Sequence, residues 1–148
     1  MKVTLFSIFF LVAVAVLYGF YNRSSLFSGH FSTLNAGGSI LVAEIARTPK
    51  ARELGLSGRP PLVDGEAMLF VFDKPGPYSF WMKDMFFPID IIWLDKNMKV
   101  VHIKENANPS SYPEKFIPKS PSHFVLETQA GLVSKQGIKI DDIIKVVE

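Results

Sequence analysis

Three ionisable residues interrupt apolar stretches of this chain: Asp90 in Ile-Asp-Ile-Ile-Trp-Leu, His102 in Val-Val-His-Ile-Lys, and Glu127 closing His-Phe-Val-Leu-Glu. A charge in an apolar run must find a partner or reach solvent, because burying it unpaired is costly. Brought together, Asp90, His102 and Glu127 would suit general acid-base chemistry or a hard metal ion. Their spacing matches no diagnostic metal or catalytic motif, so they stand as catalytic candidates and no metal is assigned. The structural alternative is a salt bridge that fixes strand register. Lys83, across the Phe87-Pro88 turn, is then the partner for Asp90, with Arg52 and Arg59 as rivals. A lone strand histidine is more often hydrogen-bonded in place than a ligand.

A second constellation is aromatic. Side chains alternate along a strand, so in Tyr78–Lys83 the residues Trp81 and Lys83 share one face. Trp81, Trp93, Tyr78 and Tyr112 would make a platform for a sugar or peptide; the alternative is that both tryptophans are core. The chain has no phosphate loop, nucleophile elbow, His-Glu-x-x-His or dinucleotide glycine motif, which weakens an enzymatic reading and implies no cofactor. With no cysteine, disulfides, thiolate metal sites and cysteine nucleophiles are excluded.

Short apolar runs must position these residues: Ile40–Ala46, Met68–Phe72, Tyr78–Met82, Ile89–Leu94, Val100–Lys104, Phe124–Glu127 and Ile143–Val147. Turn residues divide them, which predicts a mainly β, compact antiparallel barrel or sandwich with one or two short helices. Thr48 as cap, Pro49 at the first helical position and Gly55 as stop predict a short helix between them. A second helix is expected from Gln129 to Lys135, ended by Gly137. Glu105–Ser122 carries prolines at 109, 113, 118 and 121 and reads as a long loop.

Ahead of this lies Val3–Tyr21, 19 uncharged residues. At about 1.5 Å per helical residue that length nearly crosses a hydrocarbon core of roughly 30 Å. Lys2 at its start favours a cytoplasmic N-terminus and an extracytoplasmic domain. A small-x-small cleavage site is missing after it, so an uncleaved anchor is expected over a cleaved signal and secretion. The resulting organisation is an anchor over 1–22, a tether over 23–38 and a single domain over 39–148. Leu26, Phe27, Phe31 and Leu34 are too apolar for a fully solvated tether, so part of it should pack. Removing the flanking Lys2 and Arg23 leaves 14 basic against 14 acidic residues, which excludes the electrostatic footprint of a nucleic-acid binder.

The series Arg52-x-x-Gly-Leu-Ser-Gly-Arg59, Met68-Leu-Phe-Val-Phe72, Phe80-Trp-Met-Lys83, Pro88-Ile-Asp90, Val101-His102, Asn106 and Val125-Leu-Glu127 resembles the bacterial and archaeal family known as domain of unknown function 192. The likeness runs in order from about Ile40 to the C-terminus. It implies a small, mostly β domain, often exported, and leaves the activity open. It also implies a polar signature at Arg52, Arg59, Trp81, Lys83, Asp90, Asn106 and Glu127. The chain departs from the family at three turns, where Ala67, Asn97-Met98 and Asp141-Asp142 replace glycine-bearing positions; Asn97 and Asp141 tolerate left-handed geometry.

These readings lead to a membrane-tethered, non-enzymatic ligand-binding or accessory module of the cell envelope. Its ligand face would hold Trp81, Lys83 and Asp90, covered by the Pro-rich loop. Its partners would be the membrane, through Val3 to Tyr21, and an envelope polysaccharide or protein. The alternatives are an envelope hydrolase using Asp90 and Glu127, and a purely structural or interaction protein.

Overall fold

A computed structural model describes residues 30–147. The hydrophobic segment Val3–Tyr21 lies outside the described residues, and among those no helix is long and apolar enough to cross a membrane. Seven strands form one sheet: β1 (Phe31–Ala36), β2 (Ser39–Ala46), β3 (Glu66–Gly76), β4 (Ile89–Leu94), β5 (Val100–Ala107), β6 (Ser122–Gln129) and β7 (Lys145–Val147), in the order β5-β4-β6-β3-β2-β1-β7. The helices are α1 (Pro49–Leu54) and α2 (Leu132–Gln136). All strand pairs are antiparallel except β2 with β3, whose parallel pairing requires the crossover that contains α1.

The central strands read as unbroken apolar runs because both of their faces are covered. Met68 and Phe70 of β3, Val125 of β6 and Ile91 and Trp93 of β4 belong to one core, closed over by Leu56, Met82, Met85 and Phe87. Leu69, Val71, Ile92, Leu94 and Leu126 belong to the other. The sheet curls over this second core, so that Leu34 and Leu41 of the β1–β2 hairpin join it together with Val133 and Ile144.

The expected barrel is not closed. β5 and β7 are not paired as strands; the segments beside them are joined by the bridge between Lys99 and Ile143 and by backbone hydrogen bonds between Val100 and Asp141–Asp142. The parallel β2–β3 pair likewise departs from an all-antiparallel sheet. Part of the stretch read as a tether is packed, as expected: Phe31 and Leu34 lie in β1 and pair with Glu44 and Leu41. Tyr78–Met82 is not a strand; Phe80 alone bridges to Phe116. The second helix starts at Leu132, because β6 continues through Gln129. The long loop is shorter than expected: β5 runs to Ala107, and a 3-10 turn follows at Pro109–Ser111. At the Asn97-Met98 turn the left-handed residue is Met98 (φ 60°), while Asp141 (φ 75°) does take the geometry expected of it.

Candidate functional site

The cap on α1 fixes Arg52. The Thr48 hydroxyl accepts from Ala51 N–H at 3.1 Å, and Pro49 opens the helix. One turn on, Arg52 places its guanidinium 5.1 Å from the Phe72 ring centre. Its Nη1 donates to the Val71 carbonyl at 3.0 Å and to the Arg47 carbonyl. Gly55 then turns the chain with φ 51°, and a β-carbon there would come within 3.3 Å of Phe70 Cζ. Glycine therefore serves both the turn and its close seating on β3. Beyond it, Ser57 Oγ donates to the Lys83 carbonyl and Gly58 N–H to the Asp84 carbonyl, both at 2.8 Å. These bonds tie the turn to the 81–85 segment.

Between that turn and the 77–85 segment lies a cavity of about 420 Å³. Its size falls in the range of roughly 300–1,000 Å³ usual for small-molecule sites. Phe70, Phe72, Tyr78, Phe80 and Trp81 supply aromatic surface, and Arg52 and Glu127 supply the polar ends. The aromatic groups brace one another: Phe72 stacks on Tyr78 at 3.5 Å, and Phe80 meets Phe70 edge-on at 4.8 Å. The Trp93 indole N–H donates to the Tyr78 carbonyl at 2.8 Å, anchoring the segment above the sheet.

Glu127 is the buried acid of this cavity, and its Oε2 has no hydrogen-bond partner among the described residues. Burial pushes its carboxyl up to about 8, against the opposing pull of the Arg59 charge. At neutral pH the group is thus an undissociated acid, able to donate a hydrogen bond. Arg59 itself pairs with Glu44 through contacts of 2.5 and 3.2 Å, which gives that cation a counter-charge other than Glu127.

The other residues of the signature separate from this site. Asp90 is fully buried, yet no cation among the described residues partners it: Oδ1 accepts from Asn106 N–H at 2.8 Å and Oδ2 from Val133 N–H at 2.9 Å. The salt bridge expected with Lys83, Arg52 or Arg59 is replaced by these backbone donors. Asn106 contributes its backbone, in a left-handed turn with φ 48°, and its side chain is exposed. His102 lies 5.2 Å from the Trp93 ring, and burial pushes its imidazole below the ordinary range. No group of three or more acids and histidines able to hold a metal occurs among the described residues.

Trp93 is core as expected, but Trp81 is 43 % exposed. Lys83 and Lys115 set their ammonium groups 5.9 and 5.3 Å from the Trp81 ring, and Tyr112 meets it edge-on at 5.7 Å. The Pro-rich loop thus packs against the Trp81 segment through Tyr112 and Lys115. The backbones of Phe80 and Phe116 exchange hydrogen bonds of 3.0 and 2.8 Å. Sequence reasoning missed Phe70 and Phe72 as cavity walls and Glu44 as the counter-charge of Arg59. Glu44 was findable, as the one charge in Ile-Leu-Val-Ala-Glu-Ile-Ala; nothing in Met-Leu-Phe-Val-Phe distinguishes a cavity wall from core.

A curled, mostly antiparallel sheet with an aromatic cavity beside a buried acid defines a small, mainly β domain. The family model DUF192 (Uncharacterized ACR) matches residues 32–146, and the chain belongs to that family. Among solved structures it is similar to a Sinorhizobium meliloti 1021 protein provisionally described as a transcription regulator. The two share 30% identity and a TM-score of 0.74, over 80% of this chain and 95% of that one. It is also similar to a protein of unknown function from Novosphingobium aromaticivorans DSM 12444, at 32% identity and TM-score 0.71 over 78% of this chain and 83% of that one. No curated protein matches the chain.

Proposed function

We propose that this chain is a membrane-tethered, extracytoplasmic binding module that holds a small ligand in the cavity around Glu127. The observation that carries the reading is the unpartnered, buried Oε2 of Glu127 in a cavity of about 420 Å³. Fully buried polar atoms are nearly always paired, so an orphan on a residue of the cavity wall calls for a partner. The ligand face is therefore Arg52, Trp81 and Glu127, with Lys83 at the rim. Asp90 leaves it, because its oxygens serve the backbone. An acid pair for hydrolysis has no support, since Asp90 and Glu127 do not share a face.

Ser79 is exposed and lines the cavity, so Ser79→Trp should fill it without disturbing the core. Ligand-observed NMR on the full chain in detergent, with a set of small fragments, should show binding that Ser79→Trp removes while the melting temperature stays unchanged. Equal binding to both proteins, or none to either, would overturn the proposal. The tether rests on Val3–Tyr21. Recovery of the intact N-terminus in the membrane fraction supports it, whereas a mature chain beginning after Gly19 would make the domain a released one.

A further inference from the structure

The hydrogen-bonding groups in the cavity are biased toward donation. A guanidinium carries five N–H donors, and Arg52 commits only Nη1, to Arg47 and Val71. Its remaining N–H groups have no protein acceptor among the described residues. Glu127, held as the undissociated acid at neutral pH, adds a further donor rather than a negative charge. The rim repeats the bias: Lys83 and Lys115 flank Trp81, while Glu53 is the one acid beside Arg52 on α1. Arg52 and the two lysines already stand at Phe72 and Trp81, the ring positions an ammonium ligand would need. A cationic ligand would meet like charge and few acceptors.

We propose that the ligand is a small organic anion, a carboxylate carried on a flat apolar body, with its charged end at Arg52 and its body against Phe70, Phe72 and Phe80. This rests on the cavity being a binding site. The Arg52 fork suits a carboxylate in two-point contact. The aromatic walls suit a flat body, and the Glu127 hydroxyl completes the site by donating to a second oxygen.

The charged and titratable groups around the cavity are Arg52 and Glu53 on α1, Arg59 with its partner Glu44, Asp73 and Lys74 in the groove adjoining Arg52, Tyr78, Lys83, Lys115 and Glu127. Glu127, pushed by burial up to about 8, changes charge between pH 6.5 and 9.5. His102 packs on Trp93, away from the cavity lining.

The probes are benzoate, benzyltrimethylammonium and benzyl alcohol, titrated calorimetrically into the full chain in detergent at pH 6.5 and 9.5. Benzoate should bind at pH 6.5 and weaken about thirtyfold by pH 9.5, as a carboxyl titrating near 8 becomes a repelling carboxylate. Glu127→Gln, which cannot ionise, should bind benzoate equally at both pH values. Arg52→Gln should lose at least tenfold. Preferential binding of benzyltrimethylammonium, strengthening with pH, would overturn the anion assignment and leave the binding reading standing. Binding of none of the three probes would count against the cavity as a site at all.

Discussion

Asp90 and Glu127 project from opposite faces of the same sheet. Asp90 of β4 pairs with Thr128 of β6, and the adjacent Ile91 pairs with Glu127. Side chains one residue apart on a strand point to opposite faces, so the two acids are separated by the sheet itself. Each then meets a different fate. Asp90 enters the core that contains Val133, where two backbone N–H groups take up its charge. Glu127 enters the aromatic side, where nothing in the described chain bonds its Oε2 and the proton is retained instead.

Asp90 is a structural clamp, and its removal should be expensive. It joins the end of β5, through Asn106, to the first turn of α2, through Val133. Asp90→Ala leaves two N–H groups without an acceptor and should cost about 3–5 kcal/mol, given roughly 1–3 kcal/mol for each buried group left unpaired. Asp90→Asn keeps one carbonyl oxygen and should cost about half as much. Urea denaturation of the two variants checks the ranking; negligible losses in both would mean that both bonds are dispensable.

How far the sequence carried follows from what each residue needed. The α1 cap, the buried Trp93 and the strand runs of β2, β3, β4 and β6 were legible because local pattern alone dictates them. So was the requirement that Asp90 find partners, though not their identity: backbone donors in a bulge and at a helix start leave no mark in residue type. The 77–88 segment misled, because Tyr-Ser-Phe-Trp-Met alternates like a strand, while in the fold it lies across a sheet face and pairs only at Phe80. Glu127 was singled out as a charge in an apolar run, but its separation from Asp90 depends on the β4–β6 register, which no single run encodes.

Glu127 should make stability fall as pH rises. A carboxyl near 4.5 when unfolded and about 8 when folded stabilises the native state fully below pH 4.5, and that contribution is lost progressively as pH climbs to 8. Each unit between the two values corresponds to about 1.4 kcal/mol, so the loss between pH 5 and 8 is on the order of 3–4 kcal/mol. Glu127→Gln should flatten this slope and exceed the native protein in stability at pH 8. Thermal unfolding across pH 4 to 9 tests it, and parallel profiles would sink the assignment.

Arg59 should set the level of that titration. Its charge lowers the Glu127 value against the larger effect of burial. Arg59→Gln removes the opposing field, so the Glu127 carboxyl should titrate above 8, as followed by carbon-13 NMR of the labelled side chain. The same change leaves Glu44 without its part-buried partner and should cost about 1–3 kcal/mol. A downward shift of Glu127 would show that Arg59 acts on it through packing, not charge.

The two tryptophans should divide stability from binding. Trp93 is fully buried and hydrogen-bonded to the Tyr78 carbonyl, so Trp93→Ala should cost about 3–5 kcal/mol and loosen the segment that roofs the cavity. Trp81 is 43 % exposed, and its contacts with Lys83, Lys115 and Tyr112 are rim contacts. Trp81→Ala should therefore change stability by less than about 1 kcal/mol. Because Trp81 lines the cavity, the same substitution should weaken fragment binding at least fivefold. Paired denaturation and NMR titrations make the comparison; a large loss of stability from Trp81→Ala, with binding unaffected, would return this residue to a structural role.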